Sequence, residues 1–174
     1  MRKTVGLGED NFQTLIEENH FFIDKTLFIQ EFLNSDAKVA LVTRPRRFGK
    51  TLNMSMLASF LDITKNTKSL FEDKKIMQTA CANEINQYPV IFVSFKNAKG
   101  EKEDAIKLLK KALFDEYKRF DFIYEHLSNN TKEEYKLVWQ GLKNQNNMEL
   151  TDINDCLQLL CQFLYEYYGK KVIL

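Results

Sequence analysis

The residues with the clearest chemical meaning are Gly49, Lys50 and Thr51, which end the stretch RPRRFGKT at residues 44–51. A Walker A loop, GxxxxGK[ST], binds phosphates with its backbone N–H groups and its lysine, while its hydroxyl holds Mg²⁺. The letters GKT supply the second half of that pattern. The sequence therefore indicates a phosphate-binding loop if a strand precedes it and a helix follows it.

The first half of the loop departs from the general pattern, because Arg44 stands where the first glycine is expected. Pro45 biases the residue before it toward an extended conformation, which does not need the conformational freedom of glycine. Such a loop can still close over a phosphate if residues 45–49 make the turn and the N–H groups of residues 47–51 face inward. The alternative is an ordinary turn from a strand into a helix, in which the GKT is accidental.

Three arginines, Arg44, Arg46 and Arg47, form a dense but short basic cluster in this loop. They can contact the phosphates of a nucleotide, the backbone of a nucleic acid or a neighbouring domain, and they can equally be a solvated turn. A second interpretation of the chain follows from them. It is a regulatory or interaction domain that uses its basic loop to bind a partner or nucleic acid without ATP hydrolysis.

The composition excludes several classes of protein. With 25 basic and 24 acidic residues among 174, the chain has no global charge imbalance, so any basic partner surface must be local. No apolar run approaches the roughly 20 residues that span a bilayer, and the start MRKTVGLGED lacks an apolar signal region. We therefore predict a cytoplasmic protein with no membrane partner. The three cysteines, Cys81, Cys156 and Cys161, lack CxxC spacing, which predicts reduced and mostly buried thiols.

The elements around the loop predict an α/β fold. The run KVALVT, residues 38–43, is apolar without alternation, as expected for a parallel strand covered on both faces. A helix follows at about residues 50–61, and YPVIFVSFK, residues 88–96, predicts a second strand with Pro89 at its first position. Strand, helix and strand in this order favour a single P-loop NTPase-like domain, with a parallel sheet and flanking helices.

Further helices complete this prediction. Two helices separated by the extended stretch HFFID, residues 20–24, precede the first strand, and an amphipathic helix covers about residues 101–127. A shorter helix is predicted at residues 131–142, and a final helix has Thr151 as its N-cap and Gly169 just past its end. The last residues, KKVIL, are typical of a buried strand. We therefore interpret the chain as the N-terminal part of a domain whose sheet is incomplete at the C-terminus.

Four stretches together carry a resemblance to a known family: FFIDKTLFIQEFLNS, KVALVTRPRRFGKTLNMSML, YPVIFVSFK and YEYYGKKVIL. They resemble predicted bacterial AAA-type ATPases, which are close to the STAND and archaeal-ATPase-like P-loop proteins. Full-length members often carry a C-terminal PD-(D/E)XK nuclease-like domain. An arginine likewise stands at the start of Walker A in that family, so the departure at Arg44 is the family's own pattern.

The resemblance implies specific roles for the loop residues, with ATP and Mg²⁺ as cofactors. Lys50 is the catalytic lysine, which binds the β- and γ-phosphates, Thr51 binds Mg²⁺, and Gly49 allows close approach. The remaining loop residues expected at the nucleotide are Arg44, Pro45, Arg46, Arg47 and Phe48. Asp24 and Lys25, in the stretch FIDKT at residues 22–26, are expected near the adenine. For Asp24 a place near the N-cap of a helix is the alternative.

The resemblance also implies what lies beyond this chain. In the family, the strand that resembles KKVIL continues into Walker B, whose acidic residues hold Mg²⁺ and orient the attacking water. Those residues would begin just past Leu174, so this fragment is expected to bind ATP with hydrolysis nearly abolished. Its expected partners are the nucleotide, the C-terminal remainder of its own chain and, for the intact protein, nucleic acid. No convincing PD-(D/E)XK signature is present in these 174 residues.

Overall fold

The computed structural model describes residues 4–6, 8–43, 45, 48–94, 102–144 and 150–174, with the backbone alone for residues 102–103 and 150–154. The chain divides into two compact units, Met1–Tyr88 and Pro89–Leu174. The first unit contains the end of the predicted phosphate loop, and each unit has a core of its own.

The predicted α/β fold, a P-loop NTPase-like parallel sheet with flanking helices, is wrong for the described residues. Outside their helices, these residues pair only through three isolated parallel bridges: Thr4 with His20, Asp62 with Tyr88 and Val90 with Ile173. The predicted strand at residues 38–43 is irregular, and its Val39 and Leu41 side chains are 84% and 85% exposed. A parallel strand exists only through the neighbours that pair with it, and this apolar run has no such neighbour among the described residues.

The other two predicted strands meet at a single bridge. The Ile91 N–H donates to the carbonyl of Ile173 at 2.8 Å, and the Ile173 N–H donates to the carbonyl of Pro89 at 2.9 Å. Residues 91–94 and 174 add no further bridge, and residues 95 and 96 of the predicted strand lie outside the described residues. The described residues 88–94 and 170–174 therefore form one parallel bridge with each other and no strand, while Tyr88 bridges separately to Asp62.

The first unit is built from short helices. They are α1 (Phe12–Glu17), α2 (Leu27–Leu33), α3 (Lys50–Leu61), α4 (Lys68–Phe71) and the 3₁₀ helices Lys75–Gln78 and Ala80–Glu84. Asn11 caps α1 with its side chain, which accepts from the Thr14 N–H at 3.2 Å. Three sequence-based predictions are confirmed here: the two helices before residue 38, the extended stretch between them, and the bounds of α3. The turns between residues 62 and 86 were not predicted.

Phe12 is the centre of the first core and is fully buried. Its ring stacks on Phe71 with centroids 4.9 Å apart and meets Phe22 edge-on at 5.3 Å. Phe71 in turn meets Phe60 of α3 edge-on at 5.1 Å. Stacked and edge-on aromatic pairs of this kind add to the stabilisation from burial, so this group holds α1, α3, α4 and the segment before α2 together.

The described residues of the second unit form three long helices and one 3₁₀ turn: α5 (Lys102–Arg119), the 3₁₀ helix Asp121–His126, α6 (Asn129–Asn144) and α7 (Leu150–Tyr168). The predicted helix at residues 101–127 is therefore split after Arg119. The shorter helix is confirmed, two residues longer at each end than predicted. Thr151 is already inside α7, so its assignment as the N-cap is wrong. Gly169 ends α7 with φ +60°, and its N–H donates to the Tyr165 carbonyl at 2.9 Å, which confirms the predicted stop.

Tyr117 is the centre of the second core. Its hydroxyl donates to the Cys156 carbonyl at 2.8 Å, and its own carbonyl accepts from the Tyr135 hydroxyl at 3.1 Å. Burial raises the pKa of both tyrosines above the ordinary value, so their hydroxyls act as donors. Trp139 meets Phe114 edge-on at 5.1 Å and stacks on Tyr135 at 6.1 Å.

The three cysteines are free thiols; Cys156 is buried, and Cys81 and Cys161 are half-buried. Burial raises the pKa of the Cys161 thiol. None of the described helices is long and apolar enough to cross a membrane.

Candidate phosphate-binding site

The predicted loop ends in a left-handed turn at Gly49. This residue has φ +70° and ψ 26° and is the N-cap of α3, which begins at Lys50. Its carbonyl accepts the first helical hydrogen bond, from the Asn53 N–H at 2.9 Å. Glycine adopts the left-handed conformation without the steric cost that a Cβ brings. The N–H groups of residues 50–52 precede that first bond and have no partner within the helix, as at any helix start.

The side chains of the loop differ in exposure. Lys50 is half-buried, whereas Thr51, Pro45 and Phe48 are exposed, Phe48 by 58%. Lys50 and Thr51 thus lie in the first turn of α3, where the N–H groups of the helix start also lie. Of the predicted loop residues, Arg44, Arg46 and Arg47 lie outside the described residues.

The rest of α3 is held in the core. Every side chain from Ser55 to Leu61 is buried, whereas Lys50, Thr51 and Leu52 at the start of the helix are not. The Phe12 N–H, at the start of α1, donates to the Ser55 Oγ at 3.0 Å. The helix therefore presents its N-terminus at the surface of the unit while its later turns anchor it.

Asp24 and Lys25 lie in the extended segment before α2. The Asp24 Oδ1 accepts from the N–H of Thr26 at 2.9 Å and from its hydroxyl at 2.7 Å, while Oδ2 accepts from the Lys75 N–H at 2.9 Å. Thr26 is the N-cap of α2, so Asp24 bonds to the amide of the N-cap residue itself and not to an amide inside the helix. Lys25 is exposed.

These hydrogen bonds govern the acidity of Asp24. Partial burial pushes its pKa upward, but the hydrogen bonds from the Thr26 hydroxyl and from the N–H groups of Lys75 and Thr26 oppose this effect. Lys75 adds a favourable charge interaction. The net result is a pKa below the ordinary value of 3.8, so the carboxylate is ionised at neutral pH.

The sequence of the chain matches the model of a family that is described as predicted AAA-ATPase, over residues 6–174. The chain belongs to this family. No curated protein and no solved structure matches it. The family match gives no information on a STAND-like subtype or on a fused nuclease domain, which stay predictions.

Thr26 was not predicted as a functional residue from the sequence. Its side chain is fully buried, and its hydroxyl donates to Asp24 and accepts from the Ile76 N–H at 3.1 Å. The spacing Asp-x-Thr was the available signal, because a carboxylate readily accepts from the amide and hydroxyl two residues on. The same local arrangement recurs at Asp62, whose Oδ1 accepts from the N–H and hydroxyl of Thr64 at 3.0 and 2.7 Å.

The part of this predicted AAA-ATPase that the structure describes has no cluster of three or more His, Cys, Asp or Glu side chains that could hold a metal ion. The Mg²⁺ expected in this family is held largely by phosphate oxygens and water, with few protein ligands. The predicted role of Thr51 toward Mg²⁺ therefore stays a prediction.

Proposed function

We propose that the chain binds Mg-ATP through residues 44–51. The observation that carries the proposal is the left-handed Gly49 directly before a helix that begins at Lys50, in a chain that belongs to the predicted AAA-ATPase family. A helix N-terminus, with the N–H groups of its first turn and a neighbouring lysine, fits a chain of phosphates. The proposal places this activity in the cytoplasm of a bacterium.

Each residue of the first turn has a proposed task. The N–H groups of residues 50–52 donate to phosphate oxygens, and the Lys50 ammonium neutralises the β- and γ-phosphates. The Thr51 hydroxyl, which is exposed, provides a ligand for Mg²⁺. When bound, Mg²⁺ draws negative charge from the phosphates. Arg44, Arg46, Arg47, Pro45 and Phe48 remain proposed neighbours of the nucleotide, as does Lys25, whereas both carboxylate oxygens of Asp24 already accept hydrogen bonds from Thr26 and Lys75.

The proposal concerns binding. Transfer of the γ-phosphate requires in addition a residue that orients the attacking water and a carboxylate that holds the metal ion. The other interpretation, a basic loop that binds a partner or nucleic acid, gains no support from the described residues. The three arginines that motivate it lie outside them.

Isothermal titration with Mg-ATP and with a non-hydrolysable analogue tests the proposal. We expect a Kd in the micromolar range, about −8 kcal/mol of binding free energy. Lys50→Ala should abolish measurable binding, because it removes the cation that meets the β- and γ-phosphates. The matched control is Lys68→Ala, which removes an exposed lysine at the first position of α4 and should leave the Kd unchanged.

Two results would overturn the proposal. One is a folded wild-type chain that shows no heat of binding with either nucleotide. The other is equal affinity in wild type, Lys50→Ala and Lys68→Ala, which would place the nucleotide elsewhere on the chain.

A further inference from the structure

Asp24 and Thr26 join two segments that lie about fifty residues apart in the sequence. Asp24 Oδ2 accepts from the Lys75 N–H at 2.9 Å, and the Thr26 Oγ1 accepts from the Ile76 N–H at 3.1 Å. Thr26 also donates its hydroxyl and its N–H to Asp24 Oδ1. We call this set of four hydrogen bonds the Asp24–Thr26 clamp.

The clamp works as one unit because its members depend on each other. The Thr26 hydroxyl has a single proton, which it gives to Asp24, and this fixes the lone pair that receives the Ile76 N–H. Both oxygens of Asp24 are occupied. Ile76 and Thr26 are fully buried, so loss of the hydroxyl leaves a buried N–H without this partner.

The segments that the clamp joins enclose Phe12. Phe22 lies two residues before Asp24, and Phe71 lies four residues before Lys75. The rings of Phe22 and Phe71 both contact the ring of Phe12, at 5.3 and 4.9 Å between centroids. The Phe12 N–H donates to Ser55 in α3. A continuous path of hydrogen bonds and packed rings thus runs from the clamp to the helix whose first turn carries the proposed phosphate site.

We propose that Asp24 and Thr26 are positioning residues for the phosphate site. By holding residues 22–26 against residues 75–76, they keep Phe22 and Phe71 closed around Phe12 and so fix the position of α3. Asp24 acts through α3 and not by contact with the nucleotide. The proposal rests on the proposed function, because it assigns a role to residues that support the N-terminus of α3.

Fully buried Thr26 provides the decisive variant, because its side chain cannot reach a ligand in solution. We expect Asp24→Ala and Thr26→Val each to weaken Mg-ATP binding by roughly two- to thirtyfold, the range found for residues along a packed path between sites. The double variant should bind Mg-ATP no more weakly than whichever single variant has the lower affinity, since both changes break the same clamp. Thr26→Ser, which keeps the hydroxyl, should restore binding to within about twofold of wild type.

The matched control is Thr64→Val. It removes a hydroxyl-to-carboxylate bond of the same kind and length at the other end of α3, where Thr64 is exposed. Its Mg-ATP affinity should equal that of wild type. If Asp24→Ala weakens binding while Thr26→Val does not, Asp24 contacts the nucleotide directly and the positioning proposal is wrong. If neither variant changes the affinity, the proposal is also wrong, although ATP binding stands.

Hydrogen exchange without nucleotide gives a second, independent test. In Asp24→Ala and Thr26→Val the Asn53 and Met54 amides, in the first turns of α3, should exchange faster by at least about threefold. The Tyr117 amide in the second unit should not change, which would show that the effect stays within the first unit. Unchanged exchange at Asn53 and Met54 would overturn the proposal. If the wild-type chain fails to bind Mg-ATP, the role toward a phosphate site falls with the proposed function, and faster exchange at these amides would still show that the clamp fixes the first turns of α3.

Discussion

At the scale of single residues, Gly49 is required for its backbone conformation and not because a side chain would lack space. Apart from its chain neighbours, a Cβ at this position would meet no atom of the described residues within 4 Å, so among them the strain of a substitution comes from its φ of +70°. Gly49→Ala should therefore lower the free energy of unfolding by about 1–2 kcal/mol, the cost of a left-handed residue with a Cβ. Urea unfolding measures this loss.

Gly49→Asn is the informative companion to that variant. Asparagine tolerates the left-handed conformation, so it should recover most of the lost stability. Mg-ATP binding should be lost in both variants, because either Cβ enters the space that the phosphates need. Recovery of binding in Gly49→Asn would show instead that only the backbone conformation matters at this position.

The lowered pKa of Asp24 predicts a pH dependence of stability. A carboxylate whose pKa is lower in the folded than in the unfolded chain stabilises the fold above its unfolded value, near 3.8, and loses that contribution as pH falls through the folded pKa. The difference in unfolding free energy between wild type and Asp24→Asn should therefore be full at pH 6 and shrink below about pH 4. Urea titrations across this range measure it.

Asp36→Asn is the control for this experiment, because Asp36 is an exposed aspartate of the same unit. The pH dependence of Asp24→Asn is read as its difference from this control. A difference for Asp24→Asn that grows as the pH falls would contradict the lowered pKa.

At the scale of elements, local signals predicted helices and failed for strands. The bounds of α3 and the stop at Gly169 follow from residues that are neighbours in the sequence, because helical hydrogen bonds and caps are local. The run at residues 38–43 has the composition of a buried strand, yet Val39 and Leu41 are exposed. Pairing is a property of two segments, so composition alone could not decide it.

The turns after α3 escaped prediction for a different reason. They are held by side chains that bond to distant backbone groups, which no periodicity reveals. Asn86 has φ +55°, donates from Nδ2 to the Asp62 carbonyl at 2.9 Å, and accepts from the Thr67 N–H at 3.2 Å. Its own N–H donates to the Phe60 carbonyl at 2.7 Å, so residue 86 closes the C-terminal end of α3.

This arrangement predicts a large effect of Asn86→Ala. The lost side-chain hydrogen bonds to Asp62, Ser59 and Thr67 and a left-handed alanine should together lower the free energy of unfolding by about 2–3 kcal/mol. Asn86→Gly loses the same bonds but keeps the conformation at no cost, and should be the more stable variant by about 1 kcal/mol. Thermal or urea unfolding of Asn86→Ala and Asn86→Gly measures the loss of hydrogen bonds and the cost of the left-handed alanine. Equal stability of the two variants would contradict the predicted cost of the left-handed alanine.

At the scale of the whole molecule, the two units have separate cores, and their substitutions should have separate consequences. Tyr117→Phe removes the hydroxyl that donates to the Cys156 carbonyl inside the second core. We expect it to lower the free energy of unfolding by about 1 kcal/mol while leaving the Mg-ATP Kd unchanged. Tyr165→Phe, at a side chain that is 60% exposed, is the control and should change neither quantity by a measurable amount.

The candidate site can be proposed from the sequence, whereas its surroundings cannot. Residues 49–51 were predicted as a site because a phosphate loop is a contiguous pattern, and the family match extends over residues 6–174. Thr26 was not found, because its importance depends on residues 75 and 76, which adjoin it only after folding. A site made of residues that are neighbours in the chain can be inferred from the sequence. Residues that support the site from elsewhere in the chain can be recognised only in the structure.

The single tryptophan of the chain has a practical consequence. Trp139 packs against Phe114 and Tyr135 within the second unit, whereas the proposed phosphate site lies in the first. Intrinsic tryptophan fluorescence therefore reports directly on the packing of α5 and α6 within the second unit. An indole introduced at exposed Phe48 would add a reporter within the first unit, two residues before the start of α3.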